Sequence, residues 1–220
     1  MSLNHHNLEI IIPCSIGTLE GRFYYQENHD RNQGVVICPP HPLLAGNMDN
    51  NVVQAITSRV CAHMPVLLYN YRAVGKSSHP QPDLPLFEYW NKLDSQEDFQ
   101  EIIEDTAEVL AWSRRFFQEI NLVGYSFGAY VALEAATDAD NVCSLTAITP
   151  PLAEHDFSSL NSFRKPTFSI LAENDTLLEK ESHDHCQTTS LQTLLGTDHF
   201  FLGRESEIAD IVLQNIKNSL

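Results

Sequence analysis

Gly124-Tyr125-Ser126-Phe127-Gly128 follows at once on a strand-like run at 120–123 and leads straight into an Ala-rich helical pattern at 127–136. This is a G-x-S-x-G sequence in a strand–turn–helix setting, and its spacing has a steric reason. A serine lifted clear of a sheet edge must sit on a very tight turn in a strained backbone conformation. Side chains two residues to either side would then collide, so both places need glycine. The helix beyond the serine aims its N-terminal amides and positive dipole end at the same point, which favours developing negative charge. The chemistry this predicts is attack on a carbonyl by Ser126.

A serine hydroxyl is a poor nucleophile unless a base takes its proton, and histidine has the suitable pKa. Of the ten histidines, His155, His183, His185 and His199 follow Ser126. His199 lies in Gly196-Thr197-Asp198-His199-Phe200-Phe201, between the last strand-like run and the last helical pattern. That is where the base belongs when strand and helix alternate in this order. The orienting acid belongs after the penultimate strand, and the run 167–171 ends in Ala172-Glu173-Asn174-Asp175. Asp175 is favoured over Glu173, over Asp198 (whose side chain should point away from its neighbour His199) and over Asp156, which follows an earlier strand.

Two amides are expected to receive the oxyanion. One is that of Phe127. The other comes from the loop Pro39-Pro40-His41-Pro42-Leu43-Leu44, where Pro42 has no N–H, so Leu43 is the candidate donor. His41 and Tyr125 are candidate substrate contacts, although His41 can equally serve to bond its own loop. The mechanism calls for no cofactor, and no metal-ligand spacing is evident.

The elements that must position these groups follow from patterning. Runs at 8–13 and 19–26, separated by Ser15-Ile16-Gly17-Thr18, predict a hairpin. Short apolar runs at 35–38, 66–69, 120–123, 145–148, 167–171 and 191–195 predict strands buried on both faces of a parallel sheet. Helical stripes lie between them: Val52, Val53, Ile56 and Val60 from near Asp49; Phe99, Ile102, Ile103, Thr106 and Leu110; and Ile208, Ile211, Val212 and Ile216. Ser95 with Asp98 three residues on predicts a capping box before the second stripe. A further helix is expected at 176–180. The whole is an α/β fold in one domain spanning 1–220, with a mostly parallel sheet after an N-terminal hairpin and helices on both faces. The short stretch between Thr149 and Thr167 leaves no room for a large cap domain. The longest insertion, 78–94, carries Leu84, Leu86, Phe87, Tyr89 and Trp90, and either hangs over the site or covers a sheet face.

Bulk properties bound the partners. The chain has 220 residues, 43% hydrophobic and 19% charged, as in ordinary globular proteins. Its formal charge of −16 repels nucleic acid and anionic membranes, so neither is an expected partner. No apolar run approaches the ~20 residues that span a bilayer. Arg22 is the first basic residue, and Ile10-Ile11-Ile12 is too short for a signal peptide. With five dispersed cysteines, these features predict a cytoplasmic protein with free thiols.

Four stretches together carry a resemblance. They are Pro40-His41-Pro42-Leu43 with Asn47-Met48-Asp49-Asn50; Tyr71-Arg72-Ala73-Val74-Gly75; Gly124-Tyr125-Ser126-Phe127-Gly128-Ala129-Tyr130; and Asp198-His199-Phe200-Phe201. They resemble small lidless bacterial α/β-hydrolases akin to the dienelactone hydrolase family. The resemblance implies an α/β-hydrolase fold and an esterase-like serine hydrolase with the triad Ser126, Asp175 and His199. Relatives usually carry Arg-Gly-Val-Gly where this chain has Arg72-Ala73-Val74-Gly75, and two glycines where it has Ala45-Gly46. Dienelactone hydrolases proper use cysteine where Ser126 stands.

The expected activity is cleavage of a small acyl ester or thioester through an acyl-enzyme. The alternative is a non-catalytic binding protein of the same fold, which would have no need of all three triad residues. Two other motifs are set aside. Gly75-Lys76-Ser77 resembles the end of a phosphate-binding loop, but Asn70 stands where that loop needs glycine. His183-Asp184-His185-Cys186 lacks the remaining ligands of a metal site.

Overall fold

The computed structural model describes residues 6–30, 32–177 and 188–219. Eight strands form one sheet in the order β1-β2-β4-β3-β5-β6-β7-β8. β1 (His6–Cys14) and β2 (Gly17–Tyr25) make the hairpin, and β2 pairs antiparallel with β4 (Val66–Tyr69). From β4 onward, β3 (Gln33–Cys38), β5 (Glu119–Tyr125), β6 (Val142–Ile148), β7 (Thr167–Ala172) and β8 (Ser190–Leu194) are parallel. The six sequence runs assigned to this part of the sheet are all strands.

Alternating side chains divide the core in two. Val36, Leu67 and Leu122 face α3 (Gln100–Ser113) and α4 (Phe127–Ala136). Val35, Val66 and Val123 face α1 (Asn51–Val60) and α5 (Glu205–Asn218). This is the two-residue period of a strand covered by helices on both sides. Asn50 caps α1, its side-chain oxygen accepting from the Val52 amide at 3.0 Å. No helix among the described residues is long and apolar enough to cross a membrane. Cys14, Cys38, Cys61 and Cys143 are free thiols.

Three expectations are corrected. The 78–94 insertion is not an open loop: residues from Leu86 to Gln96 form a helix, α2, which buries Tyr89 and Trp90. Ser95 therefore lies inside α2 rather than capping α3, and its hydroxyl donates to the Asn91 carbonyl at 2.7 Å. α3 starts after Phe99 without a side-chain cap. The aromatic stripe of α2 carries that helix past Ser95, and the chain turns only at Glu97, in the left-handed region at φ +50°. Third, β8 is an edge strand exposed everywhere but Leu194, so its neighbours do not cover both faces as they do for β3 to β7. The helix expected at 176–180 lies largely outside the described residues, as do His183, His185 and Cys186.

The segment after β4 has a structural use. Glu20 of β2 accepts from the Lys76 amide at 2.8 Å and from the Asn70 side chain at 3.0 Å, and the Ser77 hydroxyl donates to the Asn70 carbonyl. Gly75-Lys76-Ser77 is thus bonded to β2 and to the residue that follows β4. Ala73 in the same turn sits at φ +64°, the region where a Cβ costs about 1–2 kcal/mol. Replacing Ala73 with Gly removes that strain and returns part of it as unfolded-chain entropy. We expect a net gain of about 0.5–1 kcal/mol, read as a Tm rise of roughly 1–4 °C. An unchanged or lower Tm would mean that the methyl's packing outweighs the backbone strain.

Candidate active site

Strand order decides where a ligand can sit. The chain leaves β3 toward β4 on one side and returns to β5 on the other, so a crevice opens beyond the carboxyl ends of β3 and β5. Cys38 and Gly124 pair across those strands, which brings the loop after β3 against the turn after β5. Ser126 occupies that turn at φ +55°, ψ −125°. A Cβ on Gly124 would lie 2.3 Å from the Gly128 carbonyl oxygen, and one on Gly128 would lie 2.3 Å from that of Cys38. The two glycines let helix α4 start hard against both strands.

The three residues predicted to act together come from three strand ends and are in contact. His199 Nε2 lies 2.7 Å from Ser126 Oγ, and His199 Nδ1 lies 2.7 Å from Asp175 Oδ2. Ser126 is 3% exposed, His199 6%, and the Asp175 side chain is fully buried. Asp175 uses its other oxygen to accept from the Leu177 amide at 2.9 Å, which fixes the carboxylate plane. The rival acids are engaged elsewhere. Glu173 accepts from the Gly196 amide, Asp198 from that of Phe200, and Asp156 from the amide and hydroxyl of Ser158.

Tyr125 does not line the cavity, against expectation. Its side chain is buried beneath His199, with its hydroxyl donating to the His199 carbonyl at 2.9 Å and its ring stacked on the imidazole. Strand alternation turns Tyr125 to the face opposite the cavity, so it supports the histidine loop. Burial pushes its phenol well above the ordinary range.

His41 lines the cavity and also bonds its own loop. Its Nδ1 accepts from the Leu43 amide at 3.3 Å, which places the ring proton on Nε2, 3.0 Å from Asp94 Oδ1. The Leu43 amide is therefore held by His41 at the start of a 3-10 turn, Pro42–Leu44. The His41 ring packs edge-on against Trp90 and Phe127, and burial lowers its pKa despite Asp94.

A cavity of about 530 Å³ opens over Ser126, with Leu43, Phe99, Phe127 and His155 in its wall. His155 stacks on Tyr130 at 4.5 Å between centroids, and burial lowers its pKa first, with His41 adding to the shift. Asp94, Glu97 and Glu154 complete the wall. None of Asp94, Glu97, Phe99, Glu154 and His155 was singled out as a site residue from sequence. The aromatic stripe of α2 was the one signal for its half of the wall. Nothing local marks Glu154 and His155, which sit on the connection from β6 to β7.

The comparisons agree with this architecture. A family model described as alpha/beta hydrolase fold matches residues 35–210. An uncharacterised protein of Rickettsia prowazekii is 27% identical over 213 residues, covering 89% of this chain and 83% of the relative. The solved structure of an alpha-beta serine hydrolase homologue from Coxiella burnetii superposes with a TM-score of 0.78 at 25% identity, covering 95% of this chain and 97% of its own. A Xanthomonas campestris a/b serine hydrolase without lid gives 0.78 at 20% identity, with 98% and 95% covered. A dienelactone hydrolase from Anabaena variabilis gives 0.74 at 15% identity, with 97% and 98% covered. On the fold, the family match and the placement of Ser126 beyond β5, this chain belongs to the α/β-hydrolase fold family.

Proposed function

We propose that the protein is a serine hydrolase that cleaves small acyl esters through an acyl-enzyme. The observation that carries this reading is the continuous hydrogen-bond chain from Ser126 through His199 to Asp175, mounted on a strained turn at the topological switch point. Ser126 Oγ attacks the acyl carbonyl while His199 Nε2 takes its proton. Asp175 holds the imidazole by Nδ1 and stabilises the imidazolium that forms. The amides of Phe127 and Leu43 receive the oxyanion, the latter by exchanging its bond to His41 for one to the substrate. Collapse of the tetrahedral intermediate expels the alcohol, which His199 protonates. Water then repeats the sequence and frees the acid.

The cavity suits this use. Residues 149–166, between β6 and β7, hold only a four-residue 3-10 turn, so that connection forms no cap domain over Ser126. Small or extended acyl groups fit such an open cavity better than enclosed lipid chains. The test is covalent labelling with a fluorophosphonate probe alongside a screen of p-nitrophenyl esters. Wild type should label at Ser126 and turn over a short ester, and Ser126→Ala should do neither while keeping its unfolding midpoint within a few degrees. Equal labelling of the variant would exclude Ser126 as nucleophile. A folded wild type that neither labels nor turns over an ester would point to a binding protein.

A further inference from the structure

The wall of the cavity over Ser126 carries three carboxylates, from Asp94 and Glu97 at the end of α2 and from Glu154 on the opposite connection. Among the described residues, no Lys or Arg lines it. Glu97 and Glu154 make no ion pair among the described residues, and the partner of Asp94 is His41. Burial lowers the pKa of His41 and of His155, the two histidines in the wall, so neither supplies positive charge near pH 7. Three exposed carboxylates therefore line the cavity with no cation beside them among the described residues, on a chain of formal charge −16. The cavity is backed by the buried, low-dielectric rings of Phe99 and Phe127, which focus that field inward. Glu97 sits at φ +50° after α2, where glycine would be the unstrained choice, and its carboxylate is on the cavity all the same.

Taking the hydrolase reading as its basis, we propose that this cavity selects substrates by charge, accepting neutral and cationic esters and turning away anionic ones. Esters bearing an ammonium group are the favoured class. Acyl groups ending in carboxylate, and thioesters of phosphate-bearing carriers, are the excluded class. A cation placed among these carboxylates gains Coulomb attraction and an anion of the same size loses it, so the discrimination counts the interaction twice.

The experiment compares p-nitrophenyl esters of one chain length ending in methyl, trimethylammonium or carboxylate. A second set carries the same three groups on the alcohol side of a butyrate ester. In at least one set, kcat/KM for the cationic ester should exceed that for the anionic one by about tenfold or more at low ionic strength. The ratio should shrink several-fold as salt rises to about 1 M, where the screening length is only ~3 Å. Glu97→Gln with Glu154→Gln should lower the ratio by about threefold or more, with the anionic ester gaining. The salt series uses wild type alone, so it stands even if the double variant folds poorly. A cationic-to-anionic ratio of one or less in both sets would overturn the proposal. So would a ratio indifferent to both salt and the Gln substitutions, which would assign the selectivity to shape. Turnover of the neutral ester with either result leaves the hydrolase reading intact. Turnover of none of them takes down that reading and this inference together.

Discussion

Asp175→Asn is expected to cut ester turnover by about 10²–10⁴-fold with the fold retained. The carboxylate lies 2.7 Å from His199 Nδ1, and that contact keeps the ring proton on Nδ1 so that Nε2 can accept from Ser126. An amide in the same place can present its NH2 group to Nδ1. That would move the proton to Nε2 and leave the base unable to accept. It also removes the negative charge that stabilises the imidazolium in the transition state. Glu173→Gln and Asp156→Asn should stay within a few-fold of wild type, because those carboxylates serve the Gly196 amide and the Ser158 turn. The measurement is kcat/KM on the best ester for all three variants, with fluorophosphonate labelling rates alongside. Near-normal activity of Asp175→Asn beside a collapse in either of the others would move the acid elsewhere.

Removing the carboxylate of Asp105 should be the most damaging change to stability. Asp105 receives two hydrogen bonds from the Arg72 guanidinium, at 2.7 and 2.9 Å, and the two side chains are 1% and 5% exposed. Burial raises the pKa of the Asp105 carboxyl even against Arg72, a sign of how strongly this environment disfavours a lone charge. Asp105→Ala leaves a buried guanidinium with one bond to the Glu101 carbonyl and one to its carboxylate, which is 64% exposed and compensates weakly. The expected cost is about 3–5 kcal/mol, read as a Tm lower by roughly 6–20 °C. The double change Arg72→Met with Asp105→Leu should recover most of that loss, because an apolar pair of similar volume replaces both charges. A single-variant loss below about 1 kcal/mol would mean that Arg72 swings outward onto Glu101. The pair ties the turn after β4 to α3, so activity should fall with stability if the cavity wall loosens.

The local steric signal proved the most legible in the sequence. Gly124, Ser126 and Gly128 announce a strained turn, because only glycine tolerates the contacts at 2.3 Å on either side. His199 and Asp175 could be placed by counting strands, since parallel connections run one way and bring successive strand ends to one edge. Ala45 and Ala73, which stand where the resemblance implies glycine, both lie in the left-handed region, at φ +58° and +64°. Both were visible as departures from a pattern before any geometry was known.

What the sequence by itself determined is therefore the serine turn, the strand-and-helix alternation, and the strand ends on which His199 and Asp175 sit. Tertiary structure alone decided that Tyr125 supports the His199 loop instead of lining the cavity, that α2 packs Trp90 against His41, that Arg72 meets Asp105, and that carboxylates from two distant connections share one wall with Ser126. The physical reason is range. Hydrophobic periodicity states which face of an element is buried but not which element covers it. Exposed polar residues such as Glu97 and Glu154 have no period at all, and they meet only because α2 and the chain between β6 and β7 end on the same side of the sheet.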